Sequence, residues 1–360
     1  MKLLIVIILI FAFAFAFSQE KDTKAPKYSN EFLSVGIGAR ASGMGNSIIA
    51  SVADVTSGYW NPAGLTLNNH DLQLGAMHNE YYAGIGKYDF LGAVKQLSDS
   101  SAFGISIIRF GVDDIPNTLD LIDSEGNIDY SKIKSFSVAD YAFMFSYARK
   151  LPIKGLRVGG NVKIIRRNVG EFANAWGFGL DAAAQYDYNS WKFALMARDI
   201  TTTFNAWTFH TETFEEQFLL TGNEVPVNSL EITLPKFIFG AAKYFKLSEK
   251  FDLIAEVNFD VTTDGKRNVI IKSDPFSIDP HAGVEVGFMK IAYLRAGVMN
   301  LQKIPNINGG DDFTFQPNIG LGLHLFNRLT VDYSFTDIAD QSIALYSHVF
   351  SLCYAIDKTK

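Results

Sequence analysis

The stretch GFGLDAAAQYDY, residues 177–188, decides the fold. Phe178, Leu180, Ala182, Ala184, Tyr186 and Tyr188 fall on one face of an extended chain, and Gly177, Gly179, Asp181, Gln185 and Asp187 fall on the other. Successive side chains of a strand point to opposite faces, so this period of two predicts a strand with one apolar and one polar or glycine face. Twelve residues exceed the usual soluble strand of about five or six. The same pattern returns in HAGVEVGF (281–288), in FQPNIGLGLHL (315–325) and in 251–261, where Asp252, Glu256, Asn258 and Asp260 line the polar side. Apolar outside and wet or plugged inside is the pattern of a barrel wall in lipid.

About fourteen such segments can be counted between residues 71 and 356. Ten residues at roughly 3.3 Å each, tilted about 45°, rise roughly 23 Å, close to the apolar band of such barrels. The links between them alternate in length. Those at 98–100, 151–154, 189, 247–249, 289–290 and 326 are short, whereas 111–136, 200–233, 262–278 and 301–312 are long. Tight periplasmic turns and long outer loops sort links in this way. The expectation is an all-β, up-and-down antiparallel transmembrane barrel over 71–360, with both chain ends in the periplasm. Tyr147, Trp176, Trp191, Tyr244, Tyr293, Tyr333 and Tyr354 are the expected aromatic girdles.

Composition agrees. Of 360 residues 48% are hydrophobic, with 30 Phe and 15 Tyr, which is too apolar for a typical soluble enzyme. The formal charge of −6 excludes a basic nucleic-acid stripe, and the single cysteine, Cys353, excludes a disulfide framework or a cysteine-rich metal site. Lys2, the apolar run 3–17 and the small residues Ala16 and Ser18 read as a secretory signal peptide over 1–18. The expected address is therefore the outer membrane of a Gram-negative cell.

Residues 19–30 are polar, and with the stretch up to 70 they form the expected periplasmic segment and luminal hatch. Its core is FLSVGIGARASGMGNSIIASVADVTSGYWNPAGLT, 32–66. The glycines do not follow the spacing of a dinucleotide loop, and no βαβ unit surrounds them. Gly36, Gly38, Gly43 and Gly45, with small neighbours such as Ala39 and Ala41, read instead as a compact plug set against glycines of the wall. Pro62 and Gly64 make YWNPAG a rigid turn.

GARASGMGN (38–46), the Ala-Asp at 53–54 and YWNPAGL (59–65) resemble the amino-terminal signature of the PorV/PorQ family, FadL-like outer-membrane barrels. The resemblance implies fourteen strands, a hatch folded inside and an NPA turn at Asn61, Pro62 and Ala63. It makes Gly36, Gly38, Arg40, Gly43, Gly45, Asp54, Trp60, Asn61, Pro62, Ala63 and Gly64 the hatch motif. It further implies either a part in type IX secretion, binding cargo C-terminal sorting domains or a translocon partner through outer loops, or uptake of hydrophobic compounds such as long-chain fatty acids.

Catalytic signatures are missing: no GxSxG, HExxH or P-loop occurs. Asp279, His281 and Glu285 share a strand face, for which a polar lumen lining is the simpler reading than a metal site. Asp113-Asp114 and Asp311-Asp312 read as solvated loop acids. The expectation is a non-enzyme with no cofactor, in contact with outer-membrane lipid and not with nucleic acid. In the link 200–233, Trp207, Phe209, Phe214, Phe218 and Leu219 mark a lid or partner platform; Phe214 and Phe218, four apart, suit a short amphipathic helix.

Overall fold

The computed structural model describes residues 29–122, 125–305, 309–338 and 345–357. The expected signal peptide, 1–18, lies outside the described residues. The wall begins with β1 (Leu72–Tyr81), β2 (Gly86–Ser98), β3 (Ser101–Asn117), β4 (Lys134–Lys150), β5 (Leu156–Val169) and β6 (Ala173–Tyr188). It continues with β7 (Trp191–Arg198), β8 (Thr203–Phe209), β9 (Ser229–Thr233), β10 (Lys236–Lys246) and β11 (Phe251–Thr262). β12 (Ser277–Phe288), β13 (Ala292–Pro305), β14 (Asp311–Leu325), β15 (Leu329–Thr336) and β16 (Ser347–Ile356) complete it.

All sixteen segments join one sheet, and the β5–β6 and β1–β16 pairings close it. β6 pairs with β7 along its second half and with β8 along its first, while β7 pairs with β10 and β8 with β9. β7 with β8, and β9 with β10, are therefore single wall strands with a break. The result is a closed fourteen-stranded antiparallel barrel. Closure pairs the long wall strands on both sides, the condition for strands in lipid, while the short β9 at the loop end pairs with β8 alone. Among the described residues no helix is long and apolar enough to cross a membrane; the strands do so.

The alternation decides which side meets lipid. Along β3, Ala102, Gly104, Ser106 and Ile108 turn inward, while Phe103, Ile105 and Ile107 are exposed outside. Tyr147, Trp176, Trp191 and Tyr354 are exposed on the outer face. Tyr244 and Tyr293 depart from the expected girdle. Tyr244 shares the inward parity of Ala242 and bonds Asp252 at 3.3 Å, and Tyr293 lies 5.5 Å from the Arg295 guanidinium. Parity overrides residue type here.

The link 200–233 also differs from expectation, because β8 and β9 carry the wall beyond the break. Thr203 and Asn205 are fully buried inside while Phe204 and Ile232 are exposed outside. The positive φ values of Asp199 (55°) and Thr202 (62°) interrupt the strand, which hides it from a periodicity reading.

A third correction concerns the start of the hatch. Ser29 and Asn30 receive hydrogen bonds from Asn205 Nδ2, at 3.2 and 2.9 Å, and Asn30 Nδ2 donates to Thr233. These partners stand at the long-loop end, so this part of the polar segment is not on the periplasmic side. The chain then descends the lumen and leaves at the turn end, where His70 and Asp357 meet at 2.9 Å. Two short helices, α1 (Ala39–Gly43) and α2 (Ser57–Trp60), and a 3-10 turn over Pro62–Leu67 carry the descent.

A Cβ at Gly297 would overlap the Met44 carbonyl carbon and the Gly45 nitrogen. Gly297→Leu is expected to destabilise the folded barrel by about 3 kcal/mol, the upper part of the usual overpacking range. Urea titration followed by heat-modifiable gel migration measures it, with Gly310→Ala, where a Cβ meets open space, as the neutral control.

Candidate functional site

The hatch lies on the wall backbone to backbone. A Cβ on Gly43 would stand 2.8 Å from the Gly320 Cα, and one on Gly45 would stand 2.7 Å from the Val298 nitrogen. Wall glycines answer in kind: Gly159 leaves room for Pro62 and the Ala63 nitrogen (2.6 Å), and Gly283 for the Met44 carbonyl. Gly38 holds φ +85° at the start of α1, a value that an L side chain rarely adopts. Gly36 leaves space for the Asn46 amide, and Gly64 for the Val52 carbonyl. Asn61 accepts from the Ala63 nitrogen at 3.1 Å and donates to the Ala184 carbonyl of β6 at 3.2 Å. Pro62 at the first position of the turn needs no donor there. Trp60 Nε1 donates to the Ile37 carbonyl at 2.9 Å, and Asp54 accepts from the Thr56 nitrogen and hydroxyl.

Charged groups lock the contact. Arg40 donates from Nε and Nη2 to the two oxygens of Glu285, at 2.9 and 3.1 Å. Glu285 also accepts from Arg295 at 2.6 Å, and Arg295 reaches Asp332 at 2.6 Å. Burial alone would lower the Arg40 pKa, but the Glu285 carboxylate overrides it and holds the guanidinium above its ordinary value. Glu256 accepts from the Ala50 and Ser51 nitrogens. Gln185 Nε2 donates to the Ile49 and Val52 carbonyls at 3.0 and 3.2 Å. Arg198 donates to Leu33 O and Tyr59 O and covers the Tyr59 ring at 4.3 Å. His281 bonds Asp260 through Nε2, with Nδ1 facing Ser47 Oγ and Gly45 O. Its face thus serves the hatch.

These wall partners were absent from the sequence-based motif. Gln185 and Glu285 were visible as polar-face residues, but nothing in the sequence assigns Arg198 to Tyr59, 139 positions away.

Above the hatch a cavity of about 320 Å³ is lined by Trp60, Arg198, Lys236, Asp260 and His281 together with Ile238 and Met299. Above that, the chain after β8 folds over the mouth. Helix α3 (Glu215–Leu220) follows Phe214, which is buried, packs at a tilt against Phe218 at 4.9 Å and meets Phe172 at 6.1 Å. Trp207 donates to Glu231 at 2.6 Å, lies parallel to Phe209 and carries the Arg167 guanidinium at 5.0 Å. Trp207, Phe209, Phe214 and Phe218 line an apolar cavity of about 470 Å³ with Phe136 and Phe172. Leu219 and Leu220 stay exposed, at 64% and 70%. Four of the five expected loop residues thus converge, and the fifth points to solvent.

The profile described as "Type IX secretion system protein PorV" matches residues 18–205. The chain belongs to the PorV family. Among solved structures, its barrel is similar to the Pseudomonas putida toluene transporter TodX, with TM-score 0.55 and 12% identity over 90% of this chain and 99% of that one. It is also similar to the monoaromatic hydrocarbon channel CymD, with TM-score 0.54 and 13% identity over 92% and 100%. A FadL homologue of Pseudomonas aeruginosa gives TM-score 0.52 and 11% identity over 88% and 98%. At these identities the likeness shows the fold alone. No curated protein matches significantly. As a PorV family barrel with a FadL-like fold, the chain is an outer-membrane protein.

For this PorV family member, Arg40→Met leaves Glu285 with one cation fewer in a largely buried position. Breaking a buried pair from one side costs about 3–5 kcal/mol. Arg40→Met with Glu285→Gln is expected to recover much of that loss. Urea midpoints of the single and double variants in liposomes measure the coupling.

Proposed function

We propose that this PorV family barrel is a non-catalytic part of type IX secretion that receives protein, cargo sorting domains or a translocon partner, at its long-loop end. The observation that carries the reading is the hatch that closes the lumen. The hatch meets the wall without intervening side chains at Gly43, Gly45 and Ala63, and Arg40, Glu285 and Arg295 pin it. The cavity left above it sets Arg198, Lys236, Asp260 and Arg267 among Ile49, Ile238, Val269 and Met299, so a hydrocarbon entering it meets charged groups. The exposed Leu219 and Leu220 beside Glu215 and Glu216 supply an apolar contact edged by acids.

A second reading, uptake of a hydrophobic compound, draws on one feature. The aromatic cavity at the mouth is large enough for a small apolar molecule and has few polar groups in its lining.

Leu219→Asp with Leu220→Asp is expected to cut recovery of secretion components or cargo in gentle detergent about tenfold, near 1.4 kcal/mol. It should leave heat-modifiable migration unchanged. Unchanged recovery would remove the secretion reading from this loop. Phe214→Ser with Phe218→Ser tests the second reading, since only uptake predicts loss of apolar-compound transport in that variant.

A further inference from the structure

The formal charge of −6 conceals a polarity along the barrel axis. At the loop end Glu171, Glu215, Glu216, Glu224 and Asp311 are all exposed. At the turn end a ring of exposed cations stands instead: Lys95 at the foot of β2, Arg149 at the foot of β4, Lys154 in the turn 151–155, Lys250 before β11 and Lys290 before β13. The carboxylates nearby are mostly taken. Glu249 receives Lys246 at 2.9 Å, Asp357 faces His70 at 2.9 Å, and Asp187 holds Arg157 at 2.8 Å and Lys192 at 3.2 Å. None of the five ring cations is paired with a carboxylate among the described residues.

The ring shares its height with the aromatic girdle. Tyr147 precedes Arg149 by two residues on the same outward face, and Trp191 follows the turn at 189–190 directly. Lys243 stands opposite Trp191 in the ladder, with its ammonium 4.8 Å from that ring and 5.1 Å from the Phe245 ring. Girdle aromatics of this kind sit at the headgroup level. Parity turns Lys95, Arg149 and Lys243 outward from the wall and not into the lumen. The turns at this end, at 99–100, 151–155, 189–190, 247–250, 289–291 and 326–328, are short, so the ring stays close to the membrane. Apolar tips alternate with the cations: Phe326 is 88% exposed, Ile153 60% and Met289 52%. Such a mixture suits the boundary between headgroup and acyl chain, where a lysine stem lies in the apolar layer and its ammonium reaches phosphate. A water-soluble polyanion would leave the apolar tips in water.

We propose that the turn end of the barrel is a binding belt for anionic phospholipids of the periplasmic leaflet, whose phosphates are received by Lys95, Arg149, Lys154, Lys250 and Lys290. Each basic side chain near an anionic lipid surface adds attraction, which fades beyond a Debye length. Headgroups of net negative charge are selected, because a zwitterionic lipid brings its own cation to the same place. The acidic loop end repels the same headgroups, so the selection acts in one leaflet only. It seats the barrel at a fixed depth with the acidic mouth outward. The belt does not depend on what the loop end binds.

Quenching of tryptophan fluorescence by brominated lipid tests it in liposomes. Trp191 and Trp176 are exposed on the outer wall, at the turn end and the loop end, whereas Trp60 is buried in the hatch and Trp207 lines the mouth. Trp176→Phe therefore leaves Trp191 as the reporter on the wall, and Trp191→Phe leaves Trp176. Brominated phosphatidylglycerol competes with plain phosphatidylcholine, and brominated phosphatidylcholine is the reference. The expected preference for phosphatidylglycerol is about threefold or more at Trp191 and about one or below at Trp176. Raising NaCl from 50 to 500 mM is expected to bring the Trp191 preference close to one. Lys154 and Lys250 flank Trp191 two strands to either side. The combined variant Lys154→Gln, Lys243→Gln, Lys250→Gln is expected to keep heat-modifiable migration and to lower the preference at least twofold. Should that variant fail to assemble, the salt titration of the Trp176→Phe barrel decides. A preference near one at Trp191, as a belt made for a soluble polyanion or a periplasmic protein would give, overturns the proposal. So does an equal preference at Trp176, or one that neither salt nor the lysine substitutions change.

Discussion

Contact between two backbones, with no side chain between them, organises this barrel. Where Met44 and Gly45 cross Gly283 and Gly297, and where Pro62 and Ala63 cross Gly159, any Cβ on the wall would collide with the hatch. Close approach brings peptide dipoles and small apolar groups into dense contact, and dense interiors tolerate little change in volume. Glycines in a strand cost stability by themselves. Their concentration along the inner face makes sense only because something lies against them.

That contact creates an electrostatic demand. The descending chain of the hatch exposes backbone donors and acceptors that no sheet satisfies, and each must find a partner inside the lumen. The wall supplies them from its inner polar face. Glu256 receives the Ala50 and Ser51 nitrogens, Gln185 donates to Ile49 and Val52, and Asn161 Nδ2 donates to the Gly58 carbonyl at 2.8 Å. What reads in a strand as a wet lumen lining is, in the folded chain, a set of sockets for the hatch. The same reasoning explains His281 and Glu285, whose spacing on one strand face invites a metal reading. Both are engaged by hatch groups and by Asp260 or Arg295.

The hatch that closes the lumen shifts functional interest to the loop end. At the loop end the aromatic residues of the β8–β9 connection pack into the mouth, while Leu219 and Leu220 remain outside it. On the outer wall the outward side chains of β14 from Phe313 to Leu325 are all apolar, as parity in lipid requires.

The amino-acid sequence by itself determined the barrel, the lipid face and the alternation of short and long links, because side-chain parity along a strand is a local property and lipid enforces it strongly. It also marked the small-residue run of 36–64 as a plug, since glycine spacing is local too. It did not determine that Ser29 and Asn30 lie at the loop end, that Tyr244 and Tyr293 turn inward, or that β8 and β9 extend the wall past 199–202. Nor did it pair Arg198 with Tyr59 or Arg40 with Glu285, 245 positions apart. Those facts follow from register and closure. Only when fourteen strands share one cylinder does each inward side chain acquire a height and a neighbour, and distance along the chain carries no information about either.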